Sequence, residues 1–141
     1  MRDQFYLHFD TMPTGTAQQK GVRIVHGKPM FYEKAEVKTA RQMFTAELKP
    51  HAPEKPSDKP IKLTVWFAFD TKNKKLWGQY KPTRPDTDNS LKLLKDCMSG
   101  LFFKDDSQVV EETVIKTYAE KATIFIRWEE LSDGKQGTIN V

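Results

Sequence analysis

Alternating apolar and polar residues predict six β-strands along this 141-residue chain. The clearest runs from Ile61 to Phe69, where every second residue is apolar, whereas Lys62 and Thr64 point to the other face. Two of the strands form a hairpin around residues 26–29. The predicted strands are Gln4 to Phe9, Gly21 to Val25, Met30 to Tyr32, Ile61 to Phe69, Val109 to Tyr118 and Ala122 to Trp128.

Two other stretches carry apolar residues at helical spacing. From Glu33 to Leu48 this spacing predicts an amphipathic helix that covers one side of a sheet. A second helix is predicted from Asn89 to Ser99, with Asp88 at its N-cap and Gly100 placed to end it. The apolar side of this second helix bears Leu91, Leu94 and Met98, flanked by Leu93 and Cys97.

Together these elements indicate one α+β domain over residues 1–131. Its core is a mixed or antiparallel sheet of about four or five strands with the two helices packed on it. The proline-rich stretch from Pro50 to Pro60 is predicted to be a connector, because neither half of the chain could leave out the other's apolar strands. Residues 132–141 have few apolar anchors and are predicted to form a flexible tail.

Composition narrows the class of protein further. A net charge of +4 and a pI near 9.1 favour polyanionic partners, without choosing between DNA, RNA and acidic protein. The single cysteine, Cys97, cannot form an intramolecular disulfide, which fits a reducing compartment. Since no stretch approaches a membrane span or a secretory signal, we predict a cytoplasmic protein with no membrane partner.

Two pairs of aspartates flank the second predicted helix. Asp86 and Asp88 would share a face in an extended segment. If residues 101–103 run back along the apolar side of the helix, Asp105 and Asp106 return close to the first pair. Gathered carboxylates repel one another unless a proton or cation neutralises them, and oxygen ligands suit a hard divalent ion such as Mg²⁺ or Mn²⁺.

A simpler interpretation accounts for the same aspartates. Aspartate is common in turns and helix caps for local hydrogen-bonding reasons, and Lys92 would by default be a solvated lysine. Lys92 nevertheless lies four residues after Asp88, near the start of the helix, where the helix dipole disfavours a cation. A lysine placed there makes more sense if it faces a phosphate.

These residues together resemble the RusA family of Holliday junction resolvases, in its phage-type branch. The matching residues are Asp86-Thr87-Asp88-Asn89, Lys92, Asp96, Asp105-Asp106-Ser107-Gln108-Val109 and Lys116. The resemblance implies that Asp86, Asp88 and Asp106 are catalytic and bind the metal, and that Lys92 is the essential lysine. The chain departs from the family at Pro85, where some members have an arginine, and Arg84 would have to substitute.

The resemblance also implies a function. We expect a Mg²⁺-dependent endonuclease, with Mn²⁺ as a possible substitute, that cuts four-way DNA at paired symmetric sites in recombination and repair. A substrate with two-fold symmetry is most simply met by a homodimer. Asp96 and Asp105 are expected just outside the ligand set, with Asp96 orienting Lys92. The protein would act in the cytoplasm of a bacterium, encoded by the host, a prophage or a phage.

A basic segment leads directly into Asp86 and is the predicted DNA contact. From Asp70 to Arg84 the chain is polar and rich in lysine, with aromatic residues interleaved that could stack on bases. A solvated loop whose two aromatics are pinned to the core is the alternative. The predicted contacts are Lys72, Lys74, Lys75, Trp77, Tyr80, Lys81 and Arg84, with Lys20 and Lys116 elsewhere in the chain.

Two other functions fit the same residues. A metal-dependent nuclease that cuts flaps, single strands or RNA would carry the same acidic site. A non-enzymatic protein that binds branched DNA would use its aspartates only for structure. Cleavage assays, and replacement of Asp86 or Asp106 by asparagine, separate these possibilities.

Overall fold

A four-stranded mixed sheet and a separate hairpin form the β-structure of the molecule. The computed structural model describes residues 1–13, 20–132, 137 and 139. The strands are β1 (Arg2–Phe9), β2 (Lys20–Val25), β3 (Lys28–Glu33), β4 (Ile61–Asp70), β5 (Val109–Ala119) and β6 (Ala122–Glu130). The main sheet has the order β1-β6-β4-β5, in which β4 is parallel to β5 and antiparallel to β6. The predicted mixed sheet is therefore confirmed.

One face of this sheet carries the core. The alternating apolar residues of β4 and β6 are buried, because they point to the side that the two helices cover. The helices are α1 (Ala35–Leu48) and α2 (Thr87–Met98), and they also pack against each other. The helix residues that are buried are Val37, Ala40, Phe44, Leu48, Leu91, Leu93, Leu94, Cys97 and Met98. These are the apolar positions that helical spacing predicted.

The opposite face of the sheet has no helix in the described part of the chain. Strand register aligns one row of side chains across it, since Phe125 pairs with both Tyr6 and Trp66, and Trp66 pairs with Ile115. Tyr6 is 58% exposed and Trp66 is 44% exposed. The domain is thus two layers, with the helices on one side only.

The predicted hairpin is present as β2 and β3. His26 and Gly27 form its two-residue turn, and both have positive φ angles, of 51° and 75°. A two-residue turn with positive φ at both positions matches the right-handed twist of the two strands. The positive φ angle favours glycine, which is present at the second position.

The predicted tail falls mainly outside the described residues, since it contains residues 133–136, 138, 140 and 141. Residues 14–19, between β1 and β2, also lie outside them. Within the residues that are described, no helix has the length and apolar character needed to cross a membrane.

Candidate active site

Helix α2 carries the first acidic pair and is anchored through its apolar side. It connects the parallel strands β4 and β5. The Cys97 thiol is buried where α2 packs against α1, and it lies 3.7 Å from the Arg41 carbonyl oxygen of α1. Burial raises the pKa of Cys97. A protonated, buried thiol fits the prediction that Cys97 belongs to the core.

The start of α2 differs from the prediction. The helix begins at Thr87, so Asp86 is the N-cap residue and Asp88 lies in the first turn. Asp86 and Asp88 are therefore not alternate residues of one extended strand, and helical residues two positions apart do not face each other. The earlier start is reasonable, because aspartate is favoured both at the N-cap and in the first turn.

Asp86 does not use its side chain to cap the helix. An N-cap aspartate normally accepts a hydrogen bond from a backbone N–H of the first turn, but Asp86 accepts none. Both Asp86 and Asp88 are exposed. Within the described residues, neither carboxylate forms a hydrogen bond or an ion pair, so both are free to bind a ligand.

In the second acidic pair, Asp105 caps a short turn, whereas the Asp106 carboxylate does not. Asp105 is the N-cap of a short 3-10 turn (Asp106–Gln108), and its carboxylate accepts hydrogen bonds from the backbone N–H and the hydroxyl of Ser107. The Ser107 hydroxyl is the main reason that the pKa of Asp105 is lowered. In return, the Asp105 N–H donates to Gln108 Oε1 over 2.8 Å. Asp106 makes no such bond with any described residue, so Asp106 is the free member of the pair.

The chain after α2 does not run back along the helix as expected. Gly100, with φ of 88°, turns it, and the Gly100 N–H donates to the Phe103 carbonyl over 2.7 Å. Phe103 then pairs with Ser57, and Lys104 N–H donates to the Ser57 carbonyl. Gln108 Nε2 also donates to this carbonyl, over 2.9 Å. These contacts hold the second acidic pair near the first residues of β4 and β5.

The first acidic pair lies toward the other end of β5. Lys116 Nζ donates to the carbonyl of Pro85, which immediately precedes Asp86, over 2.6 Å. Lys116 is seven residues after Val109 in the strand, a separation of roughly 23 Å at the usual strand rise. Among residues 1–13, 20–132, 137 and 139, no three side chains of His, Cys, Asp or Glu are grouped so that they could hold a metal ion. One chain therefore presents the free carboxylates in two places.

Lys92 is exposed on the outer side of α2. Asp96 is partly buried one turn later, but the two form no ion pair in the structure. The predicted orienting contact is therefore absent, and the Lys92 ammonium has no partner among the described residues.

The basic segment before Asp86 contains exposed residues and residues that are held by contacts within the protein. Tyr80 is 79% exposed, whereas the Trp77 indole N–H donates to the Thr71 carbonyl over 2.9 Å. Lys81 Nζ lies 5.1 Å from the centre of the Tyr118 ring and is partly buried. The predicted DNA contacts that remain exposed are Lys72, Lys74, Lys75, Tyr80 and Arg84. The side chain of Lys20 lies outside the described part of the structure.

Part of this segment is ordered along the edge of β5, which sequence alternation did not indicate. The Gly78 N–H donates to the Tyr118 carbonyl, and the Tyr118 N–H donates to the Gln79 carbonyl. The Lys81 N–H donates to the Lys116 carbonyl over 3.0 Å. The segment is thus held as an irregular extra strand before it reaches Asp86.

The fold and these side chains define a class of protein. Within the described residues, carboxylates without partners and an unpaired lysine lie at the start of α2 beside an exposed basic segment, which is compatible with a nuclease that acts with a metal ion. A family model described as Endodeoxyribonuclease RusA matches residues 10–129. The chain belongs to the RusA family of endodeoxyribonucleases, so it is a hydrolase that acts on DNA, and the resemblance seen in the sequence is confirmed. A nuclease of this family implies a divalent metal cofactor.

Two curated relatives support this assignment. The crossover junction endodeoxyribonuclease rusA of Lactococcus phage r1t is 40% identical over 134 residues, which cover 93% of this chain and 100% of the phage protein. The uncharacterized protein YqaN of Bacillus subtilis (strain 168) is 30% identical over 131 residues, covering 85% of this chain and 92% of that protein. The similarity therefore includes both acidic pairs and the segment between them.

Proposed function

We propose that this protein resolves Holliday junctions by paired, symmetric hydrolysis of phosphodiesters in four-way DNA, with Mg²⁺ as its metal and a role in recombination and repair. The observation that carries the proposal is the Asp86 carboxylate, which occupies an N-cap position but does not cap. The name of the phage relative supports the choice of substrate. The Asp88 carboxylate and the Lys92 ammonium, both free at the same end of α2, support a phosphate-processing site.

The donor atoms fit a hard divalent cation. Asp86, Asp88 and Asp106 supply only carboxylate oxygens, and Mg²⁺ usually takes one or two protein carboxylates together with water and substrate phosphate. Within one chain the fit is partial, because Asp106 lies toward the opposite end of β5. When bound, the ion would polarise the phosphate and lower the pKa of a coordinated water.

Lys92 has a separate electrostatic role in this proposal. Its ammonium is one helical turn after Asp88, on the exposed side of α2. There it would offset the negative charge that develops on the phosphate in the transition state. Lys92 should therefore contribute more to turnover than to binding of the junction.

A homodimer would complete the acidic site. A two-fold interface uses the same surfaces on both copies, so any residue that one copy lends to its partner is received in return. If Asp106 of one copy joins Asp86 and Asp88 of the other, two equivalent sites form, and each serves one of the two cuts. The separation of the acidic pairs within a chain supports this arrangement over a site built from one chain.

The basic segment would hold the DNA backbone. Lys72, Lys74, Lys75 and Arg84 are exposed in the segment that leads into α2, so their charges can neutralise phosphates of the bound DNA. Tyr80 projects its ring into solvent and can stack on a base that is unpaired at the branch point.

Cleavage of a labelled mobile four-way junction tests the proposal. With Mg²⁺ we expect symmetric nicks that ligase can seal, and without a divalent ion no cleavage. Random degradation, or faster cleavage of flaps, single strands or RNA, would support a nuclease of another specificity.

Two variants separate an enzyme from a binding protein. Asp86→Asn and Asp106→Asn should each reduce cleavage by at least about 100-fold while junction binding persists. Asp58→Asn is a matched control, since Asp58 is exposed and its side chain forms no hydrogen bond or ion pair among the described residues. If both site variants cleave as fast as this control, the aspartates are structural and the assignment of the site is wrong.

A further inference from the structure

The Lys116 ammonium is directed at the protein's own backbone. Nζ donates to the Thr83 carbonyl over 2.7 Å and to the Pro85 carbonyl over 2.6 Å. The side chain is partly buried, so these charged hydrogen bonds are less weakened by water than surface contacts are. Two of the three ammonium donors are therefore committed within the chain.

Other side chains, one from the segment itself and one from β5, contact the same short segment. Lys81 Nζ donates to the Thr83 hydroxyl over 2.7 Å, and the Tyr118 hydroxyl lies 3.4 Å from it. The backbone of Lys81 is already paired with Lys116. Lys116 is the last of these fixed points before Asp86, because it bonds the carbonyl of the preceding residue.

This contact fixes the backbone just before a helix start that has no side-chain cap. At most helix starts the N-cap side chain ties the first turn to itself, but the Asp86 carboxylate is left free. The backbone on the N-terminal side of Asp86 is held by Lys116 instead. The Asp86 carboxylate is left available, while Lys116 bonds the carbonyl of the residue that precedes it.

We propose that Lys116 is a positioning residue, which fixes the Asp86 carboxylate for the reaction by clamping the carbonyls of Thr83 and Pro85. This inference rests on the proposed function for the role of Asp86, although the clamp itself does not. A reacting group displaced by about 1 Å can cost on the order of 100-fold in rate. Lys116 is then not primarily a contact to DNA phosphate.

Three variants test the clamp. In Lys116→Met we expect kcat for junction cleavage to fall by about 10- to 100-fold with little change in KM, because geometry and not affinity is lost. Lys116→Arg keeps the charge and the donors and should recover part of this loss. Lys95→Met is the matched control, since it removes the 3.1 Å contact between Lys95 and Glu112 farther along the same helix. It should keep kcat within about threefold of the wild-type value.

Amide hydrogen exchange gives a readout that does not need cleavage. Exchange across residues 86–90 should accelerate in Lys116→Met and not in Lys95→Met, while α1 stays unchanged in both. If Lys116→Met proves unfolded, Lys116→Gln is used in its place, and a folded Lys116→Gln with wild-type kcat and exchange overturns the proposal.

A DNA-binding role for Lys116 would give a different set of results. If Lys116→Met weakens junction binding, lowers the salt dependence of binding by about one phosphate contact and leaves kcat unchanged, Lys116 binds DNA and the clamp is wrong. If exchange accelerates as expected but the wild-type protein does not cleave junctions, the clamp stands and the proposed function fails.

Discussion

Asp86 and Asp105 both occupy N-cap positions, but only Asp105 uses its carboxylate as a cap. The capping aspartate, Asp105, accepts two hydrogen bonds from Ser107, whereas the Asp86 carboxylate accepts none within the described residues. The same comparison separates Asp105 from its neighbour Asp106, which has no such bond. Residue type alone does not distinguish these aspartates. Only their hydrogen bonds show which carboxylates act as caps and which are available to a ligand.

The Asp105 cap predicts a specific response to pH. Hydrogen bonds from Ser107 lower the Asp105 pKa below its ordinary value of 3.8, so Ser107→Ala should move this pKa back toward that value. Because the folded-state pKa is lowered, the cap stabilises the protein above about pH 3.8 and this contribution is lost as the pH falls through the folded-state pKa. Carboxyl NMR titration of the wild-type protein and of Ser107→Ala measures the difference in the Asp105 pKa. An Asp105 pKa that is the same in both proteins would contradict the assigned bonds.

Lys92 gives a second prediction at this scale. Lys92→Met should lower kcat by about 100-fold and change the junction dissociation constant by less than about threefold, because the role proposed for this charge is in the transition state. Lys38→Met on the exposed side of α1 is the control and should alter neither value. Single-turnover cleavage and equilibrium binding provide the two measurements. Equal losses of kcat and of junction affinity would instead indicate that Lys92 only contacts a phosphate.

At the scale of elements, α2 links the core to the site. Its inner side is fully packed, while its outer side and first turn carry Asp86, Asp88 and Lys92. The helix is 12 residues long, or roughly 18 Å. A rigidly anchored helix keeps charged groups in place at its exposed end, so the stability of its packing should matter for activity as well as for folding.

Leu94 tests that anchoring. Its side chain is fully buried, so Leu94→Ala should lower the free energy of unfolding by about 2 to 5 kcal/mol through lost burial and a residual cavity. Leu94→Met keeps the volume and should cost less than about 1.5 kcal/mol. Urea unfolding followed by circular dichroism measures both. Similar losses in the two variants would mean that volume at this position is not what stabilises the helix.

At the scale of the whole molecule, the two acidic pairs lie toward opposite ends of β5. Strand β4 is central and parallel to β5, so the helix between them must run back past the sheet, and its start and the start of β5 fall at opposite ends. A second copy of the chain can bring the pairs together if the interface is two-fold.

Mixed dimers distinguish the two ways of building the site. If Asp86 of one copy acts with Asp106 of the other, a dimer of one Asp86→Asn chain and one Asp106→Asn chain has one intact site and one doubly impaired site. Co-refolding the two inactive variants should then restore nicking to about a quarter of the wild-type rate, because about half of the dimers are mixed. If each site belongs to one chain, every site stays impaired and the mixture remains inactive.

The strands, the buried sides of both helices and the family were all predictable from the amino-acid sequence. Periodicity is enough for β4, β6 and α2, since burial of one face requires apolar residues at fixed intervals. The family was predicted from the resemblance of both acidic pairs, Lys92 and Lys116 to the RusA family. Neither signal depends on which distant residues meet.

The tertiary structure decided what each charged side chain does. The path of the chain after Gly100 and the two bonds of Lys116 depend on contacts with residues far away in the chain, such as Ser57 with Phe103 and Lys116 with Pro85. Local patterns carry no information about such pairings, because backbone carbonyls are present at every position and only folding selects which of them a lysine or an amide reaches. The difference between a capping aspartate and a free one is therefore a property of the fold.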